Sequence, residues 1–421
     1  MEKQNQLNKS RNTEKVCPSR FRFRFSEGAP NAETQKKKQH FFFILGRNPE
    51  LSRHEILEFL KARNREHKEI LFEENFLVIE TNEDEKFNIQ EFGGVMWLGK
   101  ITSEGTNEKL EKHIEQKEII PSDKFSYAVF GNQDPQILKD KFKERKKKAM
   151  MKHGRQQIKF QDGTKHELPN ADFYIFYHEH KGTIYFGLTT QEYDDHGVKK
   201  RDMKKPARRE SLAISPRLSK ILINLSGAKP RDLLLDPFCG IGGILQEALI
   251  KKMNVHGIDK DKEATEGAKQ NLKWLTDEYN IKNKKDTSKA RQHQEKLKPQ
   301  ETVSVLGNYK IENIDSRKTP DLQFAAIATE TPLGKVLRKK PDNNEAEQII
   351  QNFEAYIIPI LRRLKQVKKP NAKIAITFPT IRTFHADAQK IANKTGLKIY
   401  INPILESRED QFISRDIVVF Q

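Results

Sequence analysis

An α/β class is predicted for the second half of this 421-residue chain, and an α+β arrangement for the first half. Three observations carry the prediction. Leu233-Leu234-Leu235 is a short apolar run that ends in Asp236 and a glycine-rich turn, and residues at helical spacing follow it. A second apolar run, Met253–Ile258, ends in another acid, Asp259. Before residue 104, short apolar runs and helical stretches come in the order strand, helix, strand, strand, helix, strand, the split βαβ or ferredoxin-like order.

Taken in order, residues 1–38 are polar, lysine-rich and aperiodic, which predicts a disordered tail. Phe41-Phe42-Phe43-Ile44-Leu45 is the first strand. Ser52-x-x-Glu55 reads as a capping box before Ile56, Leu57 and Leu60. Ile70–Phe72 and Phe76–Ile79 form a hairpin, 86–93 a short helix and Val95–Ile101 a further strand. That closes a ferredoxin-like module over 39–104.

A second small module spans 105–193. Phe125–Phe130 is a strand, Ile137–Met151 a lysine-rich helix, and Phe173–Tyr177 and Thr183–Leu188 are alternating strands. Residues 194–215 read as a linker. Ser215-Pro216 opens a helix over Leu218–Leu225, which leads into the strand ending at Asp236. Beyond Asp259 the sequence predicts a helix over Ala264–Leu275, a charged insert over 277–303, a strand from Ile311 to Ile314 ending at Asp315, and a strand over Ala325–Ala328. A long helix over Ala346–Val367, a strand over Lys373–Phe378, a helix over 384–395 and a last strand over Ser414–Phe420 complete the domain 216–421.

Gly240, Gly242 and Gly243 let a ligand approach the backbone with no Cβ in the way. A dinucleotide fingerprint would need glycine where Leu245 stands, and Asp236 would repel a pyrophosphate. The same acid attracts a sulfonium or an ammonium. Asp259, about twenty residues past the loop, suits ribose hydroxyls at the carboxyl edge of a sheet.

Net charge is +18, a surplus that points to a polyanionic partner. The candidate phosphate contacts are Lys146, Lys147, Lys148, Arg201, Lys204, Lys205, Arg208 and Arg209. Two cysteines, Cys17 and Cys239, supply neither a disulfide framework nor a zinc site, so no metal is expected and a reducing cytoplasm is. No apolar run nears the ~18 residues of a spanning helix, and no signal peptide is read.

The remaining stretch is Thr329-Glu330-Thr331-Pro332-Leu333-Gly334, directly after a strand. It resembles the Asp/Asn-Pro-Pro-Tyr pattern of methyltransferases that modify exocyclic amines. An aryl amine is a weak nucleophile, and acceptors for its N–H groups orient it and stabilise the charge that develops on it. Glu330 replaces the usual acid or amide, Pro332 is kept, and Leu333 replaces the aromatic that stacks on an extruded base. These three are the candidate catalytic residues.

With FFFILGRNPELSRHEI, KKRDMKKPARRESLAISPRLSKILINLSG and LLLDPFCGIGGILQEA, the chain from Phe41 onward resembles the THUMP-domain, S-adenosyl-L-methionine (SAM)-dependent RNA methyltransferases that make N2-methylguanosine in tRNA. The resemblance implies a Rossmann-like seven-stranded domain after a THUMP-like RNA-binding module at 105–193, with SAM as cofactor and tRNA as partner. It implies that Asp236 and the Gly240–Gly243 loop, Gly240 and Gly242 within it, hold the methionine part of SAM, Asp259 the ribose and Asp315 the adenine amine, with Phe238 among the cofactor contacts. A monomer is expected, with a partner subunit left open. Two other readings stand beside it: a non-catalytic RNA-binding protein with a degenerate site, and a methyltransferase of another amine, such as an rRNA base or adenine N6. Transfer that depends on Glu330 separates the first, and rRNA and DNA tested beside tRNA separate the second.

Overall fold

The computed structural model describes residues 37–116, 119–120, 122–153, 156–159, 165–168, 170–208, 214–279, 307–332, 339–407 and 412–421. The expected tail, up to residue 36, and the insert from residue 280 onward lie outside the described residues.

The front of the chain builds β1 (Lys38–Leu45), α1 (Pro49–Ala62), β2 (His67–Glu73), β3 (Phe76–Asn82), β4 (Val95–Gly105), α2 (Asn107–Gln116), β5 (Lys124–Phe130), α3 (Gln136–Glu144), β6 (Lys148–Met151), β9 (Phe173–His180) and β10 (Thr183–Glu192), with β7 (Gln156–Lys159) and β8 (Lys165–Leu168) paired apart. The strand order is β2-β3-β1-β4-β10-β9-β5-β6. β1 is buried on both faces. Phe41 and Phe43 enter one core while Phe42 and Ile44 enter another, as period-two alternation requires of a central strand.

Several expectations are corrected here. The two front modules share one sheet, because β4 pairs with both β1 and β10, so the division at 104/105 falls inside a strand. The helix read over 86–93 is a single 3-10 turn, Ile89–Glu91. Ser52 and Glu55 are not a capping box: α1 is capped by Asn48, whose side chain accepts from Leu51 N, and Glu55 turns inward. The helix read over Ile137–Met151 ends at Glu144. Lys146 takes a left-handed φ of 55°, and the chain turns into β6.

The second half builds α4 (Asp195–Met203), α5 (Pro216–Leu225), β11 (Leu233–Asp236), α6 (Gly243–Ile250), β12 (Asn254–Asp259), α7 (Lys262–Glu278), β13 (Tyr309–Asn313), β14 (Ala326–Glu330), α8 (Asn343–Val367), β15 (Ile374–Ile381), β16 (Phe384–His385), α9 (Ala388–Thr395), β17 (Ile399–Glu406) and β18 (Ser414–Phe420). The linker read over 194–215 therefore contains a helix. The strand order β13-β12-β11-β14-β15-β18-β17 is parallel up to β15, and β18 inserts antiparallel between β15 and β17. This is an α/β, Rossmann-like sheet. Leu234 and Ala328 pack into the core on the α5–α6 side, Leu235 and Ile327 into the core under α8 and α9. Parallel strands bring Asp236, Asp259 and Glu330 to one carboxyl edge, where ligands bind in open α/β sheets.

Front sheet and α/β domain are joined through buried polar groups. The Glu55 carboxylate accepts from Gly93 N (2.7 Å), Gly94 N (2.8 Å) and Asn224 Nδ2 (2.7 Å). Arg217 of α5 donates to the carbonyl of Gly93 at 2.7 Å. A Cβ on Gly93 would lie 2.0 Å from the Arg217 carbonyl oxygen, so glycine is required for this approach.

Candidate active site

β11 delivers Asp236 to the edge with its side chain buried. Thr329 Oγ1 donates to Oδ1 at 2.6 Å and Phe238 N at 3.2 Å. Burial pushes the carboxyl up to about 7; Asp259 and Glu330 add to the shift, and the bonds from Thr329 and Phe238 oppose it. The loop then turns through Gly240 (φ 50°) and Gly242 (φ 84°), left-handed conformations that favour glycine. A Cβ on Gly240 would meet nothing within 4 Å, so this backbone borders open space. Gly242 caps α6 without a side chain, which leaves the first N–H groups of that helix to other acceptors.

Asp259 clamps the loop as well as ending β12: Gly240 N donates to its Oδ2 and Asp261 N to its Oδ1, both at 2.9 Å. Asp315, beyond β13, is held by Arg317 through Nε (2.9 Å) and Nη2 (2.8 Å), and the guanidinium lowers its carboxyl to about 2. Tyr356 of α8 stands 6.2 Å from the Phe238 ring, and the carboxylates of Asp315 and Asp259 add to the upward push that burial gives its phenol. The sequence reading missed Tyr356, because nothing local distinguishes one aromatic of a long helix from its neighbours.

At the end of β14, Arg415 Nε donates to Glu330 Oε1 at 2.5 Å. Thr331 is fixed to β15, its Oγ1 donating to Thr377 O at 2.7 Å. Pro332 is exposed, and Leu333 lies outside the described residues. Thus Asp236, Phe238, Gly240, Gly242, Asp259, Asp315 and Glu330 come to one edge of the sheet.

The basic candidates separate. Lys146 and Lys148 are exposed on the front sheet, and Lys204 and Arg208 are exposed after α4. Arg209 lies outside the described residues. Three are corrections. Arg201 is buried against Glu247, with Nε to Oε1 at 2.5 Å. Lys205 is buried beside Asp202 at 3.5 Å. Lys147 donates inward to Ile120 O (2.8 Å) and Ser122 O (3.0 Å), with its side chain 5% exposed. Their charges serve packing, not a surface.

Two family models match. One described as "RMKL-like, methyltransferase domain" covers residues 200–394, and one described as "DNA methylase" covers 42–270, more than half of the chain. The chain belongs to this DNA methylase family of methyltransferases. The edge just described fits SAM through its open glycine backbone, buried acid and apolar Phe238–Tyr356 flank. Among curated relatives, the tRNA (guanine(10)-N2)-dimethyltransferase of Pyrococcus abyssi is 27% identical over 210 residues, 50% of this chain and 49% of that protein. The enzyme of the same name from Methanothermobacter thermautotrophicus is 48% identical over 60 residues, 14% of this chain and 18% of its own. The chain thus spans about half or less of the relatives it matches. Among solved structures, TrmN from Thermus thermophilus matches with a TM-score of 0.47 at 13% identity, covering 91% of this chain and 99% of that one. Among the described residues no helix is long and apolar enough to cross a membrane, and no group of three or more His, Cys, Asp or Glu could hold a metal ion.

Proposed function

We propose that the protein methylates N2 of a guanosine in tRNA, in the cytoplasm, with the exposed Lys146, Lys148, Lys204 and Arg208 contributing phosphate contacts. The observation that carries the reading is Glu330, an acid at the carboxyl end of β14 on the same edge as Asp236 and the glycine turn. Curated relatives named for this activity and a +18 charge support RNA as the substrate.

When bound, SAM supplies an electrophilic methyl group on a sulfonium. Asp236 and Asp259 set a negative potential at the glycine turn that suits that cation. In this reading Glu330 accepts an N–H of the guanine amine and favours the charge that develops on nitrogen. Thr331, tied to Thr377, fixes the backbone that carries it.

The test is incubation with isotopically labelled SAM and unmodified tRNA, with rRNA and DNA in parallel, then digestion to nucleosides and mass identification. Label in N2-methylguanosine that disappears in Glu330→Ala supports the reading. Label in adenine N6, or only in DNA, replaces it. No label with SAM and tRNA binding both intact favours a non-catalytic RNA-binding protein.

A further inference from the structure

Resting on that reading, we infer that Arg415 is the positioning residue that lets a glutamate serve where methyltransferases of exocyclic amines carry aspartate or asparagine. A glutamate head stands one methylene farther from the backbone and has one more torsion to fix. A reacting group misplaced by about 1 Å can cost a hundredfold in rate. The longer side chain therefore needs a partner that an aspartate would not.

The sheet supplies that partner. Glu330 pairs in register with Thr377 across β14 and β15, and Arg415 pairs with Pro379 across β15 and β18. The two residues thus sit on strands either side of β15, and two residues apart along it. Only a long side chain bridges that diagonal. Arg415 does so with its Nε–H on Glu330 Oε1, both side chains 12% exposed. A guanidinium is planar and pre-organised, so it orients a carboxylate as well as neutralising it.

The neighbouring residue holds β18 in place. Asp416 points to the opposite face, as strand alternation requires. There its Oδ2 accepts from Thr380 Oγ1 (2.8 Å) and pairs with His385 Nδ1 (2.7 Å). With Asp416 anchored on one face, Arg415 projects from the other toward Glu330. Thr331, fixed to Thr377, anchors the β14 side of the same pair.

The experiment compares wild type, Arg415→Gln, Arg415→Lys, Glu330→Gln and the double variant Glu330→Gln/Arg415→Gln in the labelled-SAM tRNA assay, with SAM affinity and the urea midpoint measured for each. Arg415→Gln is expected to lower kcat about a hundredfold, the order seen for lost electrostatic preorganisation, with KM for tRNA and SAM affinity within about threefold. Arg415→Lys keeps the charge and most of the buried stem, and is expected to recover about tenfold of that loss. It also reports if the glutamine variant fails to fold. The double variant is expected to match Glu330→Gln alone, since a residue acting through Glu330 has nothing left to position. Additive losses, or a loss confined to KM or to SAM affinity, would overturn the inference while leaving the proposed function intact. A wild-type protein silent on every RNA would remove the proposed function, and the inference with it.

Discussion

Asp236 is buried, and its carboxyl is pushed up to about 7, so SAM binding is expected to be coupled to loss of a proton. The ionised form is the one that attracts a cationic ligand. With its midpoint near 7, Asp236 in the free protein is mostly ionised at pH 8 and mostly protonated at pH 6. SAM affinity is therefore expected to fall about tenfold from pH 8 to pH 6, and to level off above pH 8. The sign for folding runs the opposite way to that of an ordinary ion-paired carboxylate. A folded pKa raised above 3.8 means that the unfolded chain loses its proton first, so stability falls as pH rises from about 4 to about 7, by roughly 4 kcal/mol at most. Isothermal titration calorimetry in buffers of different ionisation enthalpy reads the proton directly, with about half a proton released per SAM bound at pH 7. Asp236→Asn is expected to flatten the pH dependence. Thr329→Val removes a bond that opposes the shift and should move the midpoint upward. Affinity unchanged from pH 6 to 8, with no buffer-dependent enthalpy, would refute the assignment of Asp236 to the cofactor's charge.

Removing the carboxylate at the joint, Glu55→Ala, strands the N–H groups of Gly93, Gly94 and Asn224, and is expected to destabilise the protein by about 3–5 kcal/mol in urea unfolding. Arg201→Met leaves Glu247 buried without its fork and is expected to cost about 3–5 kcal/mol, whereas Lys204→Ala/Arg208→Ala leaves the urea midpoint in place and lowers the salt dependence of tRNA binding by about two units of slope. Gly242→Ala puts a Cβ at φ 84° and 3.4 Å from the Ala268 Cβ, and is expected to cost about 1–2 kcal/mol by thermal unfolding.

What could be read from sequence was local. The strand–glycine turn–helix of β11 and α6 announces itself within twenty residues, and so do Asp259 and the Ser215-Pro216 cap, whose Oγ accepts from Leu218 N at 3.2 Å. β17 escaped because Ile399–Glu406 is an edge strand with two register shifts and Pro403 within it, so its burial never alternates cleanly. The α3–β6 junction escaped because a run of lysines suits a helix as well as a turn, and only the left-handed Lys146 decides. The single sheet of the front half depends on β4 pairing with β10, about ninety residues later in the chain. Arg201, Lys205 and Lys147 looked like surface cations for a related reason. Arg201 and Lys147 are buried by partners far along the chain, Glu247 and the carbonyls before β5, and Lys205 is buried although its partner Asp202 is only three residues away. Arg415 and Tyr356 share that history on the side of the site.

The joint between sheet and α/β domain asks why so many charges are buried where apolar packing would serve. Glu55 is raised by burial, while Lys220 and Lys251 are each pushed down to about 8 by the same cause. Those shifts mean that the charged forms cost free energy there, as buried ion pairs commonly do. For the lysines the unfolded chain holds its protons up to about 10.5 and the folded chain only to about 8, so stability rises with pH between those values. A cluster that stabilises weakly is explained by what it fixes. Lys220 Nζ donates to Gln90 O at 2.7 Å, Lys251 Nζ to Glu91 O at 2.8 Å, and Arg217 to Gly93 O. All three grip the carbonyls of one short segment, 90–93, from two helices of the α/β domain. An apolar patch would tolerate sliding; directional bonds to three carbonyls within four residues do not. The orientation of the front sheet relative to the carboxyl edge is thereby set by backbone geometry, and under the proposed function an RNA held on one would meet the other at a fixed distance.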